Sequence, residues 1–111
     1  MSGRFTHVVL HLADIYYQGE DAYITIEHYA SGALADAVTA TVTVRDPVNA
    51  AVVSAAAMTK TATGVYGYEW AIGASANPGP HRVQVTTTYT SGAVTYTNME
   101  PFKTTEVRLK A

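Results

Sequence analysis

At 111 residues and a net charge of −2, the chain is sized for one domain and lacks the clustered basic face that nucleic-acid binding asks for. It has no cysteine, which excludes disulfides and thiolate zinc sites, and only 14% of it is charged against about 25% in average domains. No stretch approaches the roughly 20 apolar residues of a membrane-spanning helix, and His7, His11 and Asp14 interrupt any apolar leader behind Arg4.

The first run, Thr6 to Leu12, sets Thr6, Val8, Leu10 and Leu12 on one face and His7, Val9 and His11 on the other. Such a two-residue period is that of a strand with one wet and one dry face. Ala13 to Glu20 reads as a connection, with a turn at Gln18-Gly19-Glu20-Asp21. The second run, Ala22 to Tyr29, sends Ala22, Ile24, Ile26 and His28 inward and Tyr23, Thr25, Glu27 and Tyr29 outward, and Ser31-Gly32 turns the chain. Val38 to Arg45 is the cleanest alternation: Ala40, Val42 and Val44 oppose Thr39, Thr41, Thr43 and Arg45, and Asp46-Pro47 closes it. In Val48 to Met58, rich in Ala and Val, a strand over Val52 to Ala57 competes with a short helix over Asn49 to Met58. Strand neighbours on both sides favour the strand.

Thr59 to Gly64 reads as a turn region. Val65 to Ile72 then groups Tyr66, Tyr68, Trp70 and Ile72 as the aromatic centre of the core. A loop follows from Gly73 to Pro80, ending in Asn77-Pro78-Gly79-Pro80. His81 to Tyr89 places Val83, Val85, Thr87 and Tyr89 on one face and Arg82, Gln84, Thr86 and Thr88 on the other. Ser91-Gly92 is a hairpin signal, Ala93 to Met99 its returning strand, and Pro101 a break before Phe102 to Leu109. Seven or eight short strands at such spacing predict an all-β protein, two antiparallel sheets packed as a sandwich. The single domain spans residues 1–111, with 1–12 and 104–111 as terminal arms or edge strands able to add to a neighbour's sheet.

Residues that carry chemistry are scattered. His7 and His11 have the spacing of a metal pair on a helix, but on a strand they lie about 13 Å apart. His28 and His81 fall in other runs. Glu20-Asp21 suits a solvated turn better than a calcium loop, and Asp14 and Glu27 stand apart from it. There is no Gly-x-Ser-x-Gly elbow and no phosphate loop. The expectation is a protein that is not an enzyme and carries no cofactor or metal. Tyrosine is the one surplus: Tyr16, Tyr17, Tyr23 and Tyr29 gather near the outward face of the second strand, as a candidate docking surface or as ordinary strand composition.

One stretch is similar to the cysteine-free immunoglobulin-like domains of bacteria, archaea and viruses. It comprises Met58-Thr59-Lys60, Gly64-Val65-Tyr66-Gly67-Tyr68, Asn77-Pro78-Gly79-Pro80 and Val83-Gln84-Val85. Gln18-Gly19-Glu20 and Val44-Arg45-Asp46-Pro47 extend the likeness to residues 16–102. The resemblance implies an immunoglobulin-like sandwich serving as a spacer, an adhesive or sugar-contacting unit, or a decoration on phage particles, and it brings no catalytic residue. The expected function is a structural or decoration subunit of a virion, capsid or tail, contacting copies of itself or a capsid or tail protein and assembled in the host cytoplasm. The alternative is a carbohydrate-binding or adhesive module of an extracellular protein, with Tyr16 and Tyr17 as the sugar platform.

Overall fold

Alternation becomes strand wherever it was written, because a two-faced segment buries its apolar side only by pairing into a sheet. The computed structural model describes residues 5–100 and 102–110. Residues 1–4 of the expected N-terminal arm, the strand-breaking Pro101 and the last residue of the 104–111 segment lie outside them. Among the described residues the chain is all-β, with no helix and eleven strands. In order they are β1 (Thr6–His11), β2 (Ile15–Tyr17), β3 (Asp21–Ala30), β4 (Ala33–Leu34), β5 (Thr39–Arg45), β6 (Ala51–Ala57), β7 (Thr59–Ala62), β8 (Val65–Ala71), β9 (Gly79–Ser91), β10 (Val94–Met99) and β11 (Lys103–Arg108). The count exceeds seven or eight because β2, β4 and β7 hold only 3, 2 and 4 residues, in segments whose composition reads as connection or turn.

One sheet has the order β1-β3-β8-β7 with β4 on β3, and the other the order β2-β11-β9-β5-β6 with β10 on β9. These are the two layers of an immunoglobulin-type sandwich, with β6 added beyond β5. All pairings are antiparallel except β2 with β11. The inward residues of β3, β5 and β9 meet between the layers: Ile24, Ile26, Val42, Val44, Val83 and Val85 are fully buried. Each such side chain contributes roughly 1.5–3 kcal/mol of transfer free energy. The aromatic side of β8 joins them through Tyr66 and Trp70.

Strand prevails over helix in residues 51–57 because β6 pairs along β5 from Thr41↔Ala57 to Arg45↔Ala51, with an irregular register between. Ala55 sits there at φ +46°, and its N–H donates to Thr43 Oγ1 at 3.1 Å. This is a bulge, which bends the strand without unpairing it. The Ser31-Gly32 turn is as expected: both residues have positive φ between Ala30 and its partner Ala33, the two-residue hairpin of primed type. The later hairpin shifts by one residue, since Ser91 pairs with Val94 and the loop is Gly92-Ala93.

The C-terminal segment is neither a trailing arm nor an edge. β9 is 13 residues long, and one flank serves β11 over Gly79–Val83 and β10 over Thr86–Ser91. β11 is then covered on its other side by β2, with Val107 opposite Tyr16. Thr105 and Val107 are buried, and Thr105 Oγ1 donates to the Ala13 carbonyl at 2.7 Å. The reason is that Ile15-Tyr16-Tyr17, in the expected connection, supplies the strand that closes this edge. β1 is an edge strand, but Asn98 Nδ2 bonds the Thr6 carbonyl at 3.1 Å and Lys103 Nζ reaches that of Leu10 at 3.4 Å. Side chains of β10 and β11 thereby cap two carbonyls of the β1 edge.

Candidate functional site

The four tyrosines do not form one surface. Tyr16 and Tyr17 lie on β2, in the six-stranded sheet, whereas Tyr23 and Tyr29 lie on β3, in the five-stranded one. Tyr16 turns inward: its ring stands edge-on to Trp70 at 6.3 Å, and its hydroxyl accepts the Ala13 N–H at 2.9 Å. Tyr17 is exposed. Tyr23, 53% exposed, lies across Gly67, where a Cβ would collide with its hydroxyl. Six residues on, about 20 Å along the strand, Tyr29 stacks on His7 with ring centroids 4.7 Å apart and planes 5° from parallel. Partial desolvation, then the charge and hydrogen bonding of Glu27, hold its phenol above the ordinary tyrosine range. Tyr16 is therefore a packing residue, and the sugar platform expected of Tyr16 and Tyr17 is reduced to Tyr17 alone.

The histidines are also apart. His11 Nε2 pairs with Glu27 Oε1 at 3.2 Å, while His28 and His81 are buried between the layers. Among the described residues no three His, Asp or Glu side chains converge as ion ligands.

Two surface features emerge that residue-by-residue reading passes over. The outer face of the six-stranded sheet carries three threonine-x-threonine segments in register: Thr39, Thr41 and Thr43 on β5, Thr86, Thr88 and Thr90 on β9, Thr95 and Thr97 on β10. Thr88 pairs with both Thr39 and Thr97. Hydroxyls bridge Thr39 to Thr88 at 2.6 Å and Thr90 to Thr95 at 3.2 Å. Beside this uncharged field runs β6, whose residues 51, 52, 54, 55 and 57 are exposed and whose outer flank pairs with no described strand. Val52 is 48% exposed, and Val48 in the preceding turn 72%. The edge of the other sheet on this side, β7, carries Lys60, paired with Asp36 at 2.7 Å.

A cavity of about 390 Å³ opens at one end of the sandwich, between the β5–β6 turn and the β8–β9 loop. Asp46 organises it. Its Oδ1 accepts the N–H groups of Val48 at 3.1 Å and Ala50 at 2.8 Å, and its Oδ2 accepts Asn77 Nδ2 at 3.0 Å. The Ala50 N–H, with smaller help from Asn77, Val48 and His81, holds its carboxyl below the usual aspartate range despite desolvation. Trp70 and His81 form the inner wall, their ring centroids 5.5 Å apart. Asp46-Pro47 and the Pro-Gly loop were legible as turns, but nothing in their spacing joins them. The two meet only because β6 and β8 are in opposite layers that end at the same level.

No protein-family model and no curated protein matches this chain. Among solved structures it is similar to a DUF4785 family protein from Legionella pneumophila subsp. pneumophila str. Philadelphia 1, with a TM-score of 0.77 and 11% identity, covering 94% of this chain. The chain spans 29% of the length of that structure. At this identity the likeness is one of fold.

Proposed function

We propose that the chain is a non-catalytic structural or decoration subunit that works by protein–protein contact within a larger assembly, of which a phage-like capsid or tail is the type. The observation that supports this is the β6 edge: seven residues without Lys, Asp, Glu or Pro, beside a threonine field and two exposed valines. Solitary proteins blunt such edges with charge, proline or bulges, or cover them, since unpaired backbone groups recruit other strands, and β6 has a bulge but neither charge nor proline. The bulge at Ala55 breaks the edge into short stretches, which suits a closed contact better than an open fibre. Contacts are to a second copy or to a shell protein.

Light scattering during gel filtration tests it. The native chain elutes above monomer mass, alone or with its shell protein, and Val52→Lys returns it to monomer with an unchanged melting temperature. A chain that remains monomeric at every concentration and joins no particle in its source would remove the proposal.

A further inference from the structure

We propose that the end cavity binds a neutral polyhydroxylated ligand, one sugar ring taken as a free monosaccharide or as the terminal unit of a glycan. This goes beyond the assembly reading and does not rest on it.

The cavity is built, with polar groups left over. Among the described residues, the buried side-chain polar atoms without a partner are His28 Nε2, Thr87 Oγ1 and Asn98 Oδ1. The Trp70 indole N–H and His81 Nε2 also bond to nothing in the described protein, yet neither is in that set. They open instead to the cavity that both residues line. Trp70 as a whole is 4% exposed, so what it shows is shown there.

The protonation pattern follows from the partners. His81 Nδ1 lies 3.1 Å from the Gly79 carbonyl, which can only accept, so Nδ1 carries a proton, and in the neutral ring Nε2 is an acceptor. Asn77 donates its amide to Asp46, leaving its own oxygen as a second acceptor. Asp46 Oδ2, with one bond made, retains a lone pair. The indole N–H is a donor, and the hydroxyl of Ser75, another lining residue, can donate or accept.

A wall that holds both donors and acceptors is satisfied by groups that do both, and the hydroxyl is the simplest of these. The ionised Asp46 disfavours anions. A single carboxylate without a second acidic ligand is a poor cation site. The volume lies at the small end of the roughly 300–1,000 Å³ range of ligand clefts, which fits one ring better than a chain.

Trp70 is the chain's only tryptophan, so a single indole N–H resonance reports on the site. The nitrogen-15-labelled protein is titrated with glucose, galactose, mannose and N-acetylglucosamine, with glycans ending in each, and with phosphate as an anionic control. At least one sugar moves that resonance saturably, and phosphate does not. Ser75→Leu, in an exposed loop, fills the cavity and abolishes the response at an unchanged melting temperature. Ser75→Ala weakens binding about tenfold, as loss of one good hydrogen bond does. Response to the free sugar assigns a monosaccharide, and response to the glycan alone assigns a chain end. An indole resonance unmoved by every sugar, or moved equally in Ser75→Leu, overturns the proposal.

Discussion

Asp46 Oδ2 accepts a hydrogen bond from Asn77 Nδ2 at 3.0 Å, so one carboxylate ties the β5–β6 turn of one sheet to the β8–β9 loop that leaves the other. The same side chain closes its own turn through the N–H groups of Val48 and Ala50. Removing it leaves several donors without a partner at once.

Asp46→Ala is therefore expected to lower the melting temperature by roughly 5–10 °C, more than any single exposed carboxylate. The pH dependence has a definite sign. The folded carboxyl titrates below its unfolded value, held there first by the Ala50 N–H. Its contribution is complete above the unfolded value of about 4 and is lost as pH falls through the folded one. Thermal melts of native protein and Asp46→Asn should differ by a constant amount near neutrality and converge in acid.

The shared core gives the second expectation. Ile26 is fully buried on β3, between β1 and β8. Ile26→Ala should cost about 2–5 kcal/mol in urea unfolding, through lost transfer free energy and the cavity left behind.

Tyr16 and Tyr17, neighbours in sequence, should respond oppositely. Tyr16 packs on Trp70 while Tyr17 faces solvent. Tyr16→Ala is expected to destabilise by about 1–3 kcal/mol, and Tyr17→Ala to leave the unfolding midpoint nearly unchanged.

Truncation distinguishes an arm from an interior strand. Deleting residues 104–111 removes most of β11, which pairs with β2 and β9 and buries Val107. The truncated chain should lose its cooperative thermal transition, where loss of a free arm would leave it intact.

These contrasts show which parts of the fold are local. Ala22 to Tyr29, Thr39 to Arg45 and His81 to Tyr89 were legible because each strand has one dry face, and burial makes that face mostly apolar. Even His28, polar yet fully buried, fell on the predicted side. β2, β4 and β7 were not legible, since two to four residues are too few to display a period. β2 exists through residues 106–108, some ninety positions away, and its pairing turned the expected tail into the body of a sheet. Tyr16 reads as a surface aromatic for the same reason: only a formed β2 sets which neighbour points inward. The cavity was less legible still, because Asp46, Asn77 and His81 each look like ordinary turn or strand residues until three separate segments converge.

The most direct test of the assembly reading is backbone amide exchange over residues 51–57, followed as protein concentration rises. An occupied β6 edge predicts that the outward amides of this strand slow on association while those of β9, paired on both flanks, stay constant. Exchange in β6 that is fast and unchanged in the assembled state would contradict it.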